Sequence, residues 1–162
     1  MQTYASLSVL LMSFALTACA TAPVNERELL VHASTGDIEA AQELLEAGVD
    51  LGVVDVQSGN GMLAYAASNG RNDFIRFLLD NGLDVNHRNH NGITPLMLAV
   101  SAGNHEGIEI LARAGADLEL RNYAPGFTAY MIADANDDPV AMRLLKELGA
   151  SVCAGCRAPT EL

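Results

Sequence analysis

The sequence has no tryptophan, and aromatic residues make up only 5% of its 162 residues. Basic residues are also scarce, because nine Lys and Arg stand against 20 Asp and Glu, for a formal net charge of −11. Nucleic-acid phosphates are bound by clusters of Lys and Arg, and the sequence contains no such cluster. This balance argues against a nucleic-acid partner and also disfavours contact of the polypeptide with anionic lipid headgroups.

Sequence motifs that support catalysis are missing as well. There is no Gly-x-Ser-x-Gly, no His-Glu-x-x-His and no phosphate-binding glycine loop, although an enzyme needs a reactive group held by partners. His87 and His90 lie three residues apart, but zinc needs three or four ligands at defined spacing and no further ligand is evident. We therefore predict no enzymatic activity, no metal and no cofactor. The pair is interpreted as solvated or as part of a protein-binding loop, His32 as partly buried in a helix, and His105 as exposed at a helix start.

Charge is missing from the first 25 residues, which contain an apolar run of ten residues, Leu7–Leu16. This run is too short to span a bilayer, which takes about 20 residues, but it suits a secretion signal; the alternative is a short apolar core segment. The residues that end it, Leu16, Thr17, Ala18 and Cys19, resemble a bacterial lipobox, although no Lys or Arg precedes the run. The resemblance implies a signal peptide over 1–18 and a covalent lipid on Cys19, with 19–25 as the lipidated N-terminus and linker.

The same resemblance implies a location and a membrane contact. Ala20, rather than Asp, follows the cysteine, which favours the outer membrane over the inner one. The chain is then held on the cell outer membrane by its lipid anchor and faces the periplasm. Stable anchoring takes two or more acyl chains, which a triacylated N-terminus supplies.

Cysteine is rare, with three residues in the chain. If Cys19 is lipidated, Cys153 and Cys156 are the remaining thiols, in an oxidising compartment where disulfides persist. We predict that this pair forms a disulfide in the C-terminal tail, 153–162. The alternative is a redox-active pair, which needs a thiolate of low pKa, and Arg157 is the one cation nearby.

An internal repeat organises the rest of the sequence. Gly70 and Gly82 recur 33 residues later as Gly103 and Gly115, and weaker copies with a spacing of 34 residues precede and follow them. Each unit predicts two short helices: Thr94-Pro95 is typical of a helix start, and the glycines tolerate the left-handed backbone that ends a helix. A unit of this size cannot bury two helices by itself, so the units are expected to stack around one core.

These motifs resemble the ankyrin repeat family. Its T-P-L-H-x-A signature corresponds to Thr94–Ala99, and its G-A-D-V-N ending corresponds to Gly82–Asn86 and Gly115–Glu119. The resemblance implies an all-α solenoid of four helix-turn-helix repeats over 26–152, with the first and last repeats atypical. Gly107 stands at an apolar position of its repeat and is unexplained by the sequence. The expected repeat bounds are about 26–57, 58–90, 91–123 and 124–152.

The family resemblance also implies a function, which is the binding of a protein partner by a chain that is monomeric when free. Small, acidic, lipidated ankyrin-like proteins resemble immunity proteins, which neutralise secreted antibacterial effectors such as phospholipases in the periplasm. The alternatives are a generic envelope scaffold and a redox or stress-protection factor that uses Cys153 and Cys156. The implied binding face consists of hairpin tips and the ends of the first helices: Asp55, Gln57, Ser58, His90, Asn91, Ile93, Ser101, Tyr123, Pro125, Phe127 and Asn136, with Ser34, Thr35, Ser68, Asn69, Ala102 and Ala135 beside them. For Phe127 the alternative is packing as a cover on the last repeat.

Overall fold

The computed structural model describes residues 26–152, which form four consecutive pairs of helices. The predicted all-α ankyrin solenoid is confirmed: within this range the only β contact is an isolated bridge between Val54 and Gly61. The predicted signal peptide, the lipobox with Cys19 and the tail with Cys153 and Cys156 lie outside the described residues. The helices are α1 Glu26–Thr35, α2 Ile38–Glu46, α3 Met62–Ser68, α4 Asn72–Asp80, α5 Pro95–Ser101, α6 His105–Arg113, α7 Ala129–Ala135 and α8 Pro139–Glu147.

None of the helices between residues 26 and 152 has both the length and the apolar character that a membrane span requires.

The first helix of repeat three begins at Thr94-Pro95 as predicted, and that of repeat four also begins at a threonine. In repeats three and four, the hydroxyls of Thr94 and Thr128 accept hydrogen bonds from the Met97 and Met131 N–H groups, each at 3.3 Å. In repeat two, Gly61 occupies the corresponding position and makes no side-chain cap. Repeat two therefore lacks the side-chain cap that repeats three and four have.

The first helices stack in chain order, with contacts from α1 to α3, α3 to α5 and α5 to α7. The second helices α4, α6 and α8 form a parallel layer. Ala66, Ala99 and Ala133, at equivalent positions of successive repeats, are all 0% exposed. Their small side chains allow neighbouring first helices to pack closely, while Ile108 and Leu111 fill the space between the two layers.

The turn between the paired helices needs a left-handed residue. Gly36, Gly70 and Gly103 have φ values of 78°, 69° and 68° at this turn. Asp137 takes the same place in repeat four with φ 52°. The presence of Asp instead of Gly leaves the turn geometry intact, because Asp is one of the few non-glycine residues that adopt a left-handed backbone conformation.

The side chain of Asn104 explains the glycine at position 107. Asn104 caps α6 by accepting from the Gly107 N–H at 2.9 Å, and its Nδ2 donates to Ala67 O and Asn72 Oδ1 in the preceding repeat. A Cβ atom on residue 107 would lie 2.2 Å from Asn104 Nδ2. Gly107 therefore makes room for a side chain that links repeats two and three.

Candidate protein-binding surface

Three loops, which we call the tips, connect consecutive repeats and precede α3, α5 and α7. Each tip is closed from within by one carboxylate or amide side chain. Asn89 Oδ1 accepts from the Asn91 and Ile93 N–H groups, both at 2.9 Å. Asn122 Oδ1 does the same for residues 126 and 127 at 2.8 and 2.7 Å. In each of these two tips, one amide side chain thus satisfies two backbone N–H groups and holds the loop in place.

Asp55 closes the first tip. Its carboxylate accepts from the Gln57 N–H at 3.0 Å, Ser58 Oγ at 2.8 Å and Tyr65 Oη at 2.9 Å. The hydrogen bond from the Gln57 N–H, followed by those from Ser58 and Tyr65, lowers the pKa of Asp55. The Asp55 and Ser58 side chains are therefore engaged inside the tip, and their predicted contact with a partner stays a prediction.

Neighbouring tips are joined to one another. The His90 N–H donates to Ser58 O at 3.0 Å, and the Tyr123 N–H donates to Asn91 O at 2.9 Å. Two glycines allow the close approach. A Cβ on Gly59 would lie 2.6 Å from His90 Cδ2, and a Cβ on Gly92 would lie 2.8 Å from Tyr123 Cδ1. The three tips therefore form a continuous ladder.

The histidine pair belongs to this ladder. His87 Nε2 lies 2.9 Å from Gly59 O, and His90 Nδ1 lies 3.2 Å from Gln57 O. Both rings reach from the second tip to the first. Within the part of the chain that the structure describes, no three His, Cys, Asp or Glu residues are grouped to hold a metal ion.

The residue that directly follows each closing residue is exposed to solvent. Val56 is 79% exposed and Tyr123 is 66% exposed, and His90 is exposed at the same position of the middle tip. We call Val56, His90 and Tyr123 the tip row. Tyr123 is held in place because the Arg88 guanidinium lies 4.7 Å from its ring centroid. Sequence reasoning missed Val56, although its place directly after Asp55 matches that of His90 after Asn89.

The remaining predicted residues divide into exposed and half-buried positions. Phe127 is 37% exposed, so it is neither a full core cover nor freely projecting. Ile93 is half-buried. Ser34, Ser68 and Asn69 donate to carbonyls of their own helices. The exposed positions are Thr35, Gln57, Asn69, Asn91, Ser101, Ala102, Pro125, Ala135 and Asn136.

Ser101 and Asn136 line an open groove of about 510 Å³ between the third and fourth repeats. His105 and Asp138 lie in the same groove, and His105 Nε2 is 2.7 Å from Asp138 Oδ2. Partial burial alone would raise the pKa of Asp138, but hydrogen bonds from the Ala141 N–H and from His105 outweigh burial and lower it. Asp138 is therefore an ionised cap of α8 that also holds repeat three.

Replacing Asp138 by Ala is expected to lower the free energy of unfolding by about 1 kcal/mol at pH 7, because α8 loses its N-cap. The pKa of Asp138 is depressed below 3.8 in the folded state. Its contribution is thus complete above pH 3.8 and is lost as the pH falls through the folded pKa. Urea unfolding of the parent and of Asp138→Ala at pH 7 and pH 3 tests this expectation. The difference between their unfolding free energies should be smaller at pH 3 than at pH 7. Asp80→Asn, at an exposed site on α4, is the control; a difference that stays constant would contradict the assignment.

Comparison with known proteins agrees with this architecture. Residues 29–122, more than half of the chain, match a family model described as ankyrin repeats in three copies. The chain therefore belongs to the ankyrin repeat family, whose repeats are protein-binding units.

Several known proteins are similar to part of this chain. The chain is 34% identical over 118 residues to the E3 ubiquitin-protein ligase XBAT33 of Arabidopsis thaliana. The aligned segment covers 72% of this chain and 23% of that relative. It is 36% identical over 94 residues to the B-cell lymphoma 3 protein homolog of Mus musculus, 58% of this chain and 21% of the relative. It is 35% identical over 123 residues to L-asparaginase of Dirofilaria immitis, and the aligned segment covers 70% of this chain and 21% of that relative. The chain spans about a quarter or less of each relative, and the names of these relatives differ.

Proposed function

We propose that this chain is an outer-membrane lipoprotein, facing the periplasm, that binds a protein partner with its tip row and has no catalytic activity of its own. The observation that carries the proposal is the exposure of Val56 and Tyr123 on tips that are closed and joined by hydrogen bonds. Large apolar and aromatic side chains are favoured anchors in interfaces. Because the tips are already ordered, binding costs little conformational entropy.

For the particular role, we propose an immunity protein that neutralises a secreted antibacterial effector, such as a phospholipase, by occluding it. The net charge of −11 supports this because it steers a basic partner toward the chain. The lipobox-like end of the apolar run supports a location beside the membrane that such an effector attacks. The proposed lipid on Cys19 is a covalent anchor, and no cofactor is required.

The anchor is tested by metabolic labelling with an alkyne fatty acid in a Gram-negative host. The parent chain should be labelled and should fractionate with the outer membrane, whereas Cys19→Ser should lose the label completely. Cys153→Ser is the matched control and should keep it, because only the cysteine after the lipobox is a substrate for acylation. Equal labelling of the parent and Cys19→Ser would show that the anchor is not on this residue.

Partner binding is tested by pull-down from envelope extract, followed by titration of the retained protein against purified variants. The double variant Val56→Ser/Tyr123→Ser should weaken binding at least about tenfold, the equivalent of roughly 1.4 kcal/mol, because it removes two anchors of the tip row. Val140→Ser is the control, since Val140 is 40% exposed on α8 and lies away from the tips. Unchanged affinity in the double variant would contradict the proposal.

The immunity role is tested by expressing the retained protein in the periplasm. Growth should stop in cells without this chain and resume when the parent is co-expressed, but not with the double variant. The variant Cys153→Ser/Cys156→Ser should protect as well as the parent, because occlusion needs no thiol. If the retained protein is not toxic, the proposed immunity role is wrong and the alternative of a generic envelope scaffold remains.

A further inference from the structure

A partly enclosed pocket of about 290 Å³ lies between the segments that follow α2 and α4, at the start of α3. The buried side chains of Leu51, Met62 and Leu63 form part of its wall. Ligand pockets in proteins measure roughly 300–1,000 Å³. The pocket is at the lower end of this range, which suits a single long side chain rather than a large metabolite.

A glycine leaves this space open where the later repeats place a side chain. Asn86 Oδ1 accepts from the Asp117 N–H of the next repeat at 2.8 Å. Glu119 Oε1 accepts from the Ser151 N–H at 2.7 Å one repeat later. Gly52 stands at the equivalent position of repeat one and lines the pocket. Because it has no side chain, it cannot make the corresponding contact with repeat two.

A second glycine enlarges the same opening. Gly61 stands where repeats three and four have Thr94 and Thr128, and its φ of −87° and ψ of 175° are close to the −95° and 163° of Thr94. A Cβ on Gly61 would lie 3.7 Å from His87 Cδ2 and 3.9 Å from Val54 Cγ1, which are ordinary contact distances. Both of these residues line the pocket. Neither the backbone nor a clash therefore requires glycine here, and its consequence is open space.

Two polar side chains that line the pocket have acceptors left over. His87 Nε2 lies 2.9 Å from Gly59 O, which can only accept, so Nε2 carries the proton and Nδ1 of the neutral ring is an acceptor. The Asn81 amide nitrogen donates to Phe77 O at 2.8 Å. The side-chain carbonyl of Asn81 therefore remains available as an acceptor.

Two carboxylates line the same pocket. Asp50 Oδ1 accepts from the Gly52 N–H at 2.7 Å, and Asp84 Oδ1 accepts from the Asn86 N–H at 2.9 Å. The second oxygen of each carboxylate is left for a ligand, and both residues are exposed. Among residues 26–152, those that line the pocket include no Lys or Arg. A ligand that satisfies these side chains must bring hydrogen-bond donors and positive charge.

We propose that this pocket binds an arginine side chain of the protein partner. A guanidinium group carries five donors and no acceptor in a planar fork, and its apolar stem packs on apolar surface. Both parts match a pocket that combines leftover acceptors with an apolar wall. Arginine is also enriched among the residues that dominate binding energy in interfaces. That the arginine belongs to the partner rests on the proposed function, whereas binding of a guanidinium group in the pocket does not.

The pocket is tested without any partner, by titrating the full chain with N-acetyl-arginine amide and following the amide signals by NMR. We expect saturable shifts at Gly52, Gly61 and Leu83, with an affinity in the millimolar range. N-acetyl-citrulline amide, in which a neutral urea replaces the guanidinium group, should bind at least about tenfold more weakly. Equal binding of the two compounds, or no saturable shift at these residues, would overturn the proposal.

Two double variants separate the pocket from net charge. Asp50→Asn/Asp84→Asn keeps the oxygens that accept within each turn but removes both charges, and it should weaken binding of the arginine compound at least about tenfold. Asp117→Asn/Glu147→Gln removes the same charge from exposed positions outside the pocket, and its affinity should stay within about twofold of the parent. An equal loss in both variants would reflect net charge alone and would overturn the proposal.

Gly61→Thr closes the pocket without breaking the fold. It supplies α3 with the cap that Thr94 and Thr128 supply, so it should unfold at no lower urea concentration than the parent. Binding of the arginine compound should nevertheless weaken at least about tenfold. Undiminished binding to this variant would contradict the assignment of the pocket. Failure of the arginine titration leaves the pull-down with the tip-row variants unaffected, and the reverse also holds, so the pocket and the proposed function are judged separately.

Discussion

Replacing Ala99 by Leu is expected to lower the free energy of unfolding by about 3 kcal/mol. Ala99 is 0% exposed and lies in the column of small residues between neighbouring first helices, where α5 contacts α3 and α7. Three additional carbons have no space there, so the helices must separate and other contacts are lost. Domains are stable by only about 5–15 kcal/mol, so urea unfolding followed by circular dichroism will resolve the change.

The control for this substitution lies three residues away. Ala102, at the end of α5, is exposed, and Ala102→Leu should change the unfolding free energy by no more than about 0.5 kcal/mol. A loss of similar size in both variants would mean that the cost comes from leucine in this helix rather than from close packing of the stack.

Gly107→Ala is expected to lower the free energy of unfolding by about 1–2 kcal/mol, by displacing the Asn104 side chain from its cap and from the preceding repeat. Helix propensity alone predicts the opposite sign, since Ala is favoured over Gly by about 1 kcal/mol within a helix. The two expectations differ in sign, so thermal or urea unfolding decides between them.

A double-mutant cycle identifies the cause. Asn104→Ser retains a capping hydroxyl but removes the amide that occupies the space beside residue 107. In that background Gly107→Ala should stabilise the protein by up to about 1 kcal/mol. If Gly107→Ala is equally destabilising in both backgrounds, contact with Asn104 is not the reason for the glycine.

The repeat period carries most of the fold, and it is readable from the sequence because each helix start and turn has its own residue chemistry. Thr94 and Pro95 predict the start of α5, and Gly103 predicts the turn after it, at the positions where the structure has them. The predicted partial burial of His32 agrees with the structure, where its side chain is 26% exposed. His105, expected to be exposed at the start of α6, is instead half-buried and pairs with Asp138. These features depend on local geometry and on one period.

The candidate site was less predictable, because it depends on contacts between repeats. The roles of Asp55 and Asn104 come from hydrogen bonds whose geometry the sequence does not contain. The outward direction of Val56 was hidden because the first tip has one residue more between Asp55 and Gly59 than the middle tip has between Asn89 and Gly92. Only the observed closing of each tip aligns Val56 with His90 and Tyr123.

The internal closing of the tips has an evolutionary consequence. Asp55, Asn89 and Asn122 accept hydrogen bonds from N–H groups of the tips. The mostly exposed side chains of Val56 and Tyr123 therefore contribute little to the stability of the fold. A lineage whose target drifts can therefore exchange these side chains one at a time and test new specificities while the scaffold persists.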